Sequence, residues 1–181
     1  MQTGKRISAY ILSLALSLGL SATAYSASSI TLIASGYTDK GGEGVYGLTF
    51  DAATNQFGEL QLLAKATNPS FGLKNKNLWY FVGEANEGQL LTFNQNKNRE
   101  LTFLQKVSVA GSSPCYISKR NDGKFLAVAN YSSGNLAVFA LDKKGLPQGE
   151  PQLKQHQGTG PNTKRQEAAH AHWAGWSQLA D

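Results

Sequence analysis

The chain has 181 residues, 41% of them hydrophobic, and 17 basic against 12 acidic side chains give it a formal charge of +5. That is enough chain to bury a core, and the charge is too mild and too dispersed for the basic stripe of a nucleic-acid binder, so no nucleic-acid partner is expected. Cys115 is the single cysteine, which excludes an internal disulfide and a thiolate metal cluster.

The first element is an export leader. Lys5-Arg6 followed by the uncharged run from Ile7 to Leu20 reads as the n- and h-regions of a signal peptide, and Ala22-Thr-Ala24 or Ala24-Tyr-Ser26 supplies a small-x-small cleavage site. The run is too short for a transmembrane helix, which takes about 20 apolar residues; an uncleaved N-terminal anchor is the alternative. Residues 1–26 are therefore expected to be leader and 27–181 the folded domain, exported to the periplasm or the cell exterior with no membrane span after cleavage. Cleavage removes two basic residues and no acidic one, which leaves +3.

Alternation and β-branched or aromatic content then predict strands at 30–35, 45–50, 60–64, 70–73, 78–82, 90–93, 101–107, 115–118, 125–130, 136–140, 152–156 and 171–176, with no helix between them. Asn121-Asp-Gly123, Ser132-Ser-Gly134 and Asn75-Lys-Asn77 are the turns that separate neighbouring runs. Three stretches restate one another: Val45-Tyr-Gly-Leu-Thr-Phe50, Gln89-Leu-Leu-Thr-Phe93 and Asn135-Leu-Ala-Val-Phe139 bring a phenylalanine back after 43 and then 46 residues. Pro69-Ser-Phe-Gly-Leu73 corresponds in the same way to Pro114-Cys-Tyr-Ile117, which puts Cys115 in the slot of Ser70. A period of about 40 to 50 residues built from four short strands marks a β-propeller blade. The fold expected is all-β, a propeller of four-stranded blades with about three blades present and the start of a fourth at His170–Trp176. After Ser-Gln-Leu-Ala-Asp181 the repeat would continue with a turn and another strand, so the chain reads as a partial propeller truncated at its C-terminus, and its open blade edges predict self-association.

One stretch breaks the repeat with chemically consequential side chains. It runs from His156 through Gly158-Thr-Gly160 and Lys164-Arg-Gln-Glu167 to His170-Ala-His172, and it holds all three histidines. On a strand, His170 and His172 share a face and can point together toward a central channel. With Arg165 and Glu167 just upstream, the group can polarise an ester carbonyl, hold an anionic substituent and move a proton near neutral pH. The plainer reading is a pair of imidazoles satisfied by hydrogen bonds at a blade junction. Zinc is a third reading, but no further histidine has supporting spacing, and no metal or cofactor is expected. Lys164 and Arg165 are candidates for a substrate phosphate or carboxylate, or else an ordinary solvated loop. Gly158 and Gly160 lack a following helix and read as a turn; His156 reads as an edge-strand surface residue, Cys115 as a small buried hydrophobe, and Trp79, Tyr80 and Phe81 as inter-blade packing.

Tyr37-Thr-Asp with Gly44-Val-Tyr-Gly-Leu-Thr-Phe-Asp51, Asn130-Tyr-Ser-Ser-Gly-Asn-Leu-Ala-Val-Phe139, and Gly158-Thr-Gly-Pro-Asn-Thr-Lys-Arg-Gln-Glu-Ala-Ala-His-Ala-His172 resemble the lactonase family of seven-bladed propellers. That family includes bacterial 6-phosphogluconolactonases and the related fungal carboxymuconate cyclases. The resemblance implies three blades of seven, a small-molecule lactone substrate, ester hydrolysis at the central channel, and His170 or His172 as acid or base. Glu167 would orient the imidazole, while Arg165 and Lys164 would meet the substrate. The family's site also draws an arginine and an acidic residue from later blades, which makes impaired activity the expectation for this chain. Alternatives are a lactonising enzyme like the carboxymuconate cyclases, a non-catalytic ligand- or protein-binding propeller, and a fragment without function.

Overall fold

The computed structural model describes residues 29–177, so the expected leader at 1–26 lies outside the described residues. Apolar and β-branched runs punctuated by Gly, Asn, Asp and Ser form twelve strands, and no helix occurs among the described residues. They make three antiparallel sheets in chain order. Blade 1 holds β1 (Ser29–Ser35), β2 (Gly44–Asp51) and an outer strand interrupted into β3 (Gln56–Phe57) and β4 (Gln61–Lys65), both pairing with β2. Blade 2 is β5 (Pro69–Asn75), β6 (Leu78–Gly83), β7 (Gln89–Gln95) and β8 (Leu101–Ser108), paired in sequence order. Blade 3 repeats this with β9 (Pro114–Lys119), β10 (Phe125–Asn130), β11 (Asn135–Leu141) and β12 (Pro147–Gln155).

The repeating phenylalanines fall at one structural position, since Phe50, Phe93 and Phe139 lie on β2, β7 and β11, each the strand that carries the outermost hairpin. In all three sheets the pairing between that strand and the outer one slips, by one residue at Val45/Tyr46 and Thr92/Phe93 and by two between Val138 and Ala140. Such bulges increase local twist, which suits sheets that must fan about an axis.

The blades pack face to face. On β6 the side chains of Leu78, Tyr80 and Val82 point into blade 3, where they meet Ile117, Leu126, Val128 and Phe139. The intervening Phe81 points into blade 1 with Leu91, Phe93 and Val45. Both faces of the strand are therefore covered, which is why Leu-Trp-Tyr-Phe-Val is apolar throughout instead of alternating. Trp79 stacks on Phe81 at 5.8 Å, Phe81 meets Phe93 edge-on at 6.0 Å, and the Tyr80 hydroxyl donates to the Gly145 carbonyl across the blade interface at 2.7 Å. These aromatics are packing residues.

The strand expected at 171–176 does not form: the segment from His170 to Ser177 is irregular. It nevertheless docks on blade 3. Ala171 and Ala174 are buried against Ala127 and Ala129, and the Ser118 hydroxyl donates to the Ala174 carbonyl at 2.7 Å. It lies against blade 3 much as β9 lies against β5 and β6, but no described strand pairs with it, and a strand is defined by its ladder.

Candidate active site

The turns after β6 and β10 and the connections that lead into β5 and β9 collect at one end of the sheets. The junction between blades 2 and 3 is held there by a polar clamp. Asn135 donates from Nδ2 to the Ala110 carbonyl at 3.1 Å, and its Oδ1 accepts from Ser133 Oγ at 2.5 Å and from Asn130 Nδ2 at 3.3 Å. The Asn130 amide also reaches the Val109 carbonyl at 3.3 Å, and the backbone N–H of Tyr131 donates to the Ser113 carbonyl at 2.9 Å. Asn130 and Asn135 are buried, so these bonds act in a low-dielectric setting and fix the turn that presents Tyr131.

Tyr131 receives both histidines. The His170 ring stacks on the phenol ring with centroids 4.5 Å apart and planes 12° from parallel, while His172 meets the same phenol ring edge-on at 5.7 Å. His170 Nδ1 lies 3.1 Å from the Tyr131 carbonyl oxygen. A carbonyl only accepts, so Nδ1 carries the proton, and in the neutral ring Nε2 keeps the basic lone pair. Nε2 in turn sits 3.6 Å from Glu167 Oε1, an ion pair once the ring is protonated. His170 is largely buried, whereas Glu167 and His172 are exposed. The two histidines thus converge on one residue, but unequally: a stack and a hydrogen bond set His170 in place, and only a ring edge holds His172.

The loop that delivers them is built on its own amides. Gln166 Oε1 accepts from the Asn162 N–H at 3.0 Å, the Gln166 N–H donates to the Asn162 carbonyl at 2.7 Å, and the Gly160 N–H donates to the Gln166 carbonyl at 2.8 Å. Lys164 and Arg165 project from this loop as exposed cations whose backbone N–H groups donate to the Asn162 side-chain and main-chain oxygens at 3.2 and 3.0 Å. His156, just past β12, is exposed and lies outside the Tyr131 cluster.

Cys115 is half-buried, not fully enclosed, and its Sγ rests 3.7 Å from the carbonyls of Ala171 and His172. Burial, and then the charge of Glu84, push its thiol above the usual range. It is therefore protonated at neutral pH and a poor nucleophile.

Two side chains to which the sequence reading gave no part in the site belong to this end of the sheets. The Tyr37 hydroxyl donates to Glu84 Oε2 at 2.9 Å, joining the turn after β1 to the turn after β6. That bond, more than burial or the charges of Glu84, Cys115 and Asp39, holds the phenol above its ordinary value. A groove of about 460 Å³ between blades 2 and 3, lined by Asn75, Asn121, Lys124 and Lys144, lies at the opposite end and holds none of the expected site residues.

Four-stranded antiparallel sheets packed face to face, with the histidine cluster and the Tyr37–Glu84 pair on the connections at one end, define a β-propeller with its candidate site at the blade junctions. The chain belongs to the lactonase family of seven-bladed β-propellers, whose model matches residues 31–179. It is 36% identical over 145 residues to the 6-phosphogluconolactonase of Bacillus subtilis, a match covering 78% of this chain and 41% of that protein. Among solved structures it is similar to a protein from Lactobacillus plantarum, with a TM-score of 0.74 and 25% identity over 83% of this chain and 44% of that one. It is also similar to the periplasmic gluconolactonase of Pseudomonas aeruginosa, with a TM-score of 0.67 and 25% identity over 72% of this chain and 39% of that one. The chain spans about two fifths of the length of the curated relatives it matches.

Proposed function

We propose that the protein hydrolyses the ester bond of a sugar lactone, with His170 as general base. The observation that carries this reading is the fixed tautomer of His170: Nδ1–H is committed to the Tyr131 carbonyl, which leaves Nε2 as the proton acceptor beside the Glu167 carboxylate. Nε2 removes a proton from water as the oxygen attacks the lactone carbonyl carbon, and Glu167 stabilises the imidazolium that results. Arg165, with Lys164 beside it on the loop that precedes His170, is the cationic help for the oxyanion or for an anionic substituent. When the tetrahedral intermediate collapses, the ring C–O bond breaks and the departing alkoxide takes the proton back from the imidazolium, giving the hydroxy acid. His172, exposed and less constrained, is the secondary candidate.

The relatives' names span a phosphorylated and an unphosphorylated gluconolactone. The Lys5-Arg6 and Ile7–Leu20 leader and the periplasmic setting of the Pseudomonas protein support an exported enzyme acting on the unphosphorylated substrate. No helix among the described residues is long and apolar enough to cross a membrane.

The test is His170→Asn, which keeps an N–H donor for the Tyr131 carbonyl and removes the base. Hydrolysis of D-glucono-δ-lactone, followed by acid release, should slow by about a hundredfold or more, and His172→Asn should slow it less. Unchanged turnover in His170→Asn removes that residue from the mechanism.

A further inference from the structure

Tyr37, Glu84 and Tyr131 are spaced 47 residues apart in both intervals. Each stands just beyond the equivalent strand of its blade, β1, β6 or β10. The fold has therefore placed one structural position three times around the same end of the propeller. In blade 3 that position supports His170. In blades 1 and 2 it supplies a phenol and a carboxylate hydrogen-bonded to each other, and the mechanism above uses neither.

This pair is held by a positioning residue, Asn68, that bonds through both ends of its amide. Asn68 Oδ1 accepts from the Thr38 N–H at 2.8 Å and from the Thr38 hydroxyl at 3.0 Å, and its Nδ2 donates to the Glu84 carbonyl at 3.1 Å. The Asn68 carbonyl accepts from the Glu84 N–H at 2.9 Å. Thr38, the neighbour of Tyr37, and Glu84 itself are thus tied to one residue in the connection between blades 1 and 2. Glu84 Oε2 is taken by Tyr37, while Oε1 receives no hydrogen bond from the described residues. Cys115, at the start of β9 and so at the same end of the sheets as the pair, lies 3.7 Å from the His172 carbonyl oxygen.

An open carboxylate oxygen beside a fixed phenol offers acceptors to neutral hydroxyl donors and repels anions. The cations of the site, Lys164 and Arg165, stand on the histidine loop instead. We infer that Tyr37 and Glu84 read the hydroxyl groups of the substrate, binding the polyol part of the lactone while His170 works on the ester. The inference rests on the lactonase reading and deepens it to a specificity-determining pair. A carboxylate that accepts from a sugar hydroxyl makes a charge-assisted bond, stronger than a neutral one.

The experiment compares Tyr37→Phe and Glu84→Gln with the parent protein on two lactones of the same ring size, D-glucono-δ-lactone and δ-valerolactone, which lacks the hydroxyls. Expected is a rise in KM for gluconolactone of about tenfold to a hundredfold with kcat little changed, and an unaltered kcat/KM for δ-valerolactone. Equal losses on both lactones, or none on either, overturn the inference and leave the ester chemistry of His170 standing. If the parent hydrolyses neither lactone, the lactonase reading falls, and saturation-transfer NMR with D-glucitol decides the pair by itself. Transfer in the parent that Glu84→Gln abolishes supports polyol binding, and no transfer in the parent overturns it.

Discussion

Asn135→Ala tests whether the clamp between blades 2 and 3 sets both stability and the site. Asn135 is 3% exposed and makes three hydrogen bonds, to the Ala110 carbonyl, Ser133 Oγ and Asn130 Nδ2. At a net worth of about 1 kcal/mol each, their loss comes to ~3 kcal/mol, raised by leaving the Ala110 carbonyl unpaired and lowered if water enters the gap. The expected destabilisation is about 2–4 kcal/mol, a large part of the stability of an ordinary domain. Urea unfolding followed by tryptophan fluorescence measures it as a lower midpoint at unchanged slope. Asn135→Asp sharpens the test, because it keeps the size and the acceptor but turns a carboxylate toward the Ala110 carbonyl; it should be at least as damaging as alanine. A cost below ~0.5 kcal/mol for alanine, the range of a plain surface substitution, would refute the clamp. So would an aspartate variant as stable as the parent. Because the clamped turn carries Tyr131, turnover should fall in these variants even at temperatures where they remain folded.

Two further outcomes follow from the same geometry. Gly134 has φ of +63°, and a β-carbon there would land on the Ala169 carbonyl, so Gly134→Ala combines backbone strain with a push on the segment bearing His170. It should destabilise by more than ~1 kcal/mol, the scale of an unfavourable left-handed residue, and lower turnover; a melting temperature and kcat equal to the parent's would contradict the docking of 169–174 on blade 3. Cys115 should react slowly with iodoacetamide at neutral pH, since burial and Glu84 raise its thiol pKa and thereby reduce the thiolate present, and the rate should climb as the pH is taken well into the alkaline range. Alkylation at neutral pH as fast as that of free cysteine would show the thiol to be open and unperturbed.

Much of the architecture could be read from side-chain periodicity, because each blade repeats the same demands. Phe50, Phe93 and Phe139 marked equivalent strands, and the Asn121-Asp-Gly123 turn lies between β9 and β10 as its chemistry requires. The failures have specific causes. β12 starts at Pro147, five residues before the expected 152, because Pro147, Gly149 and Pro151 carry no strand preference for periodicity to detect. An outer strand tolerates proline because one edge of it needs no N–H donors, and Gly149 takes φ of +60°. The two-residue β3 was invisible at the length where periodicity speaks. At the site, His170, His172 and Glu167 could be picked out because they interrupt an apolar repeat. Tyr37, Glu84 and the Tyr131 stack were not, although aligning the repeats on the ends of β1, β6 and β10 would have placed all three in register.

This division between what repeats and what varies also explains where chemistry can sit in such a fold. Strands such as β6 are covered on both faces by neighbouring blades, so a charged side chain there would be desolvated without a partner. Polar function is pushed to the connections at the sheet ends, where each blade contributes one copy of every position. Copies can diverge independently, which is how the position held by tyrosine in blades 1 and 3 carries a carboxylate in blade 2. The connections themselves are kept rigid by amides that bond through both oxygen and nitrogen, Asn68 at one junction and Asn135 at the next. Substitutions in the clamps should therefore cost stability and activity together. Those at Tyr37, Glu84 or His170 should cost activity alone, and a set of variants in which the two kinds cannot be told apart would mean that the site has no rigidity of its own to lose.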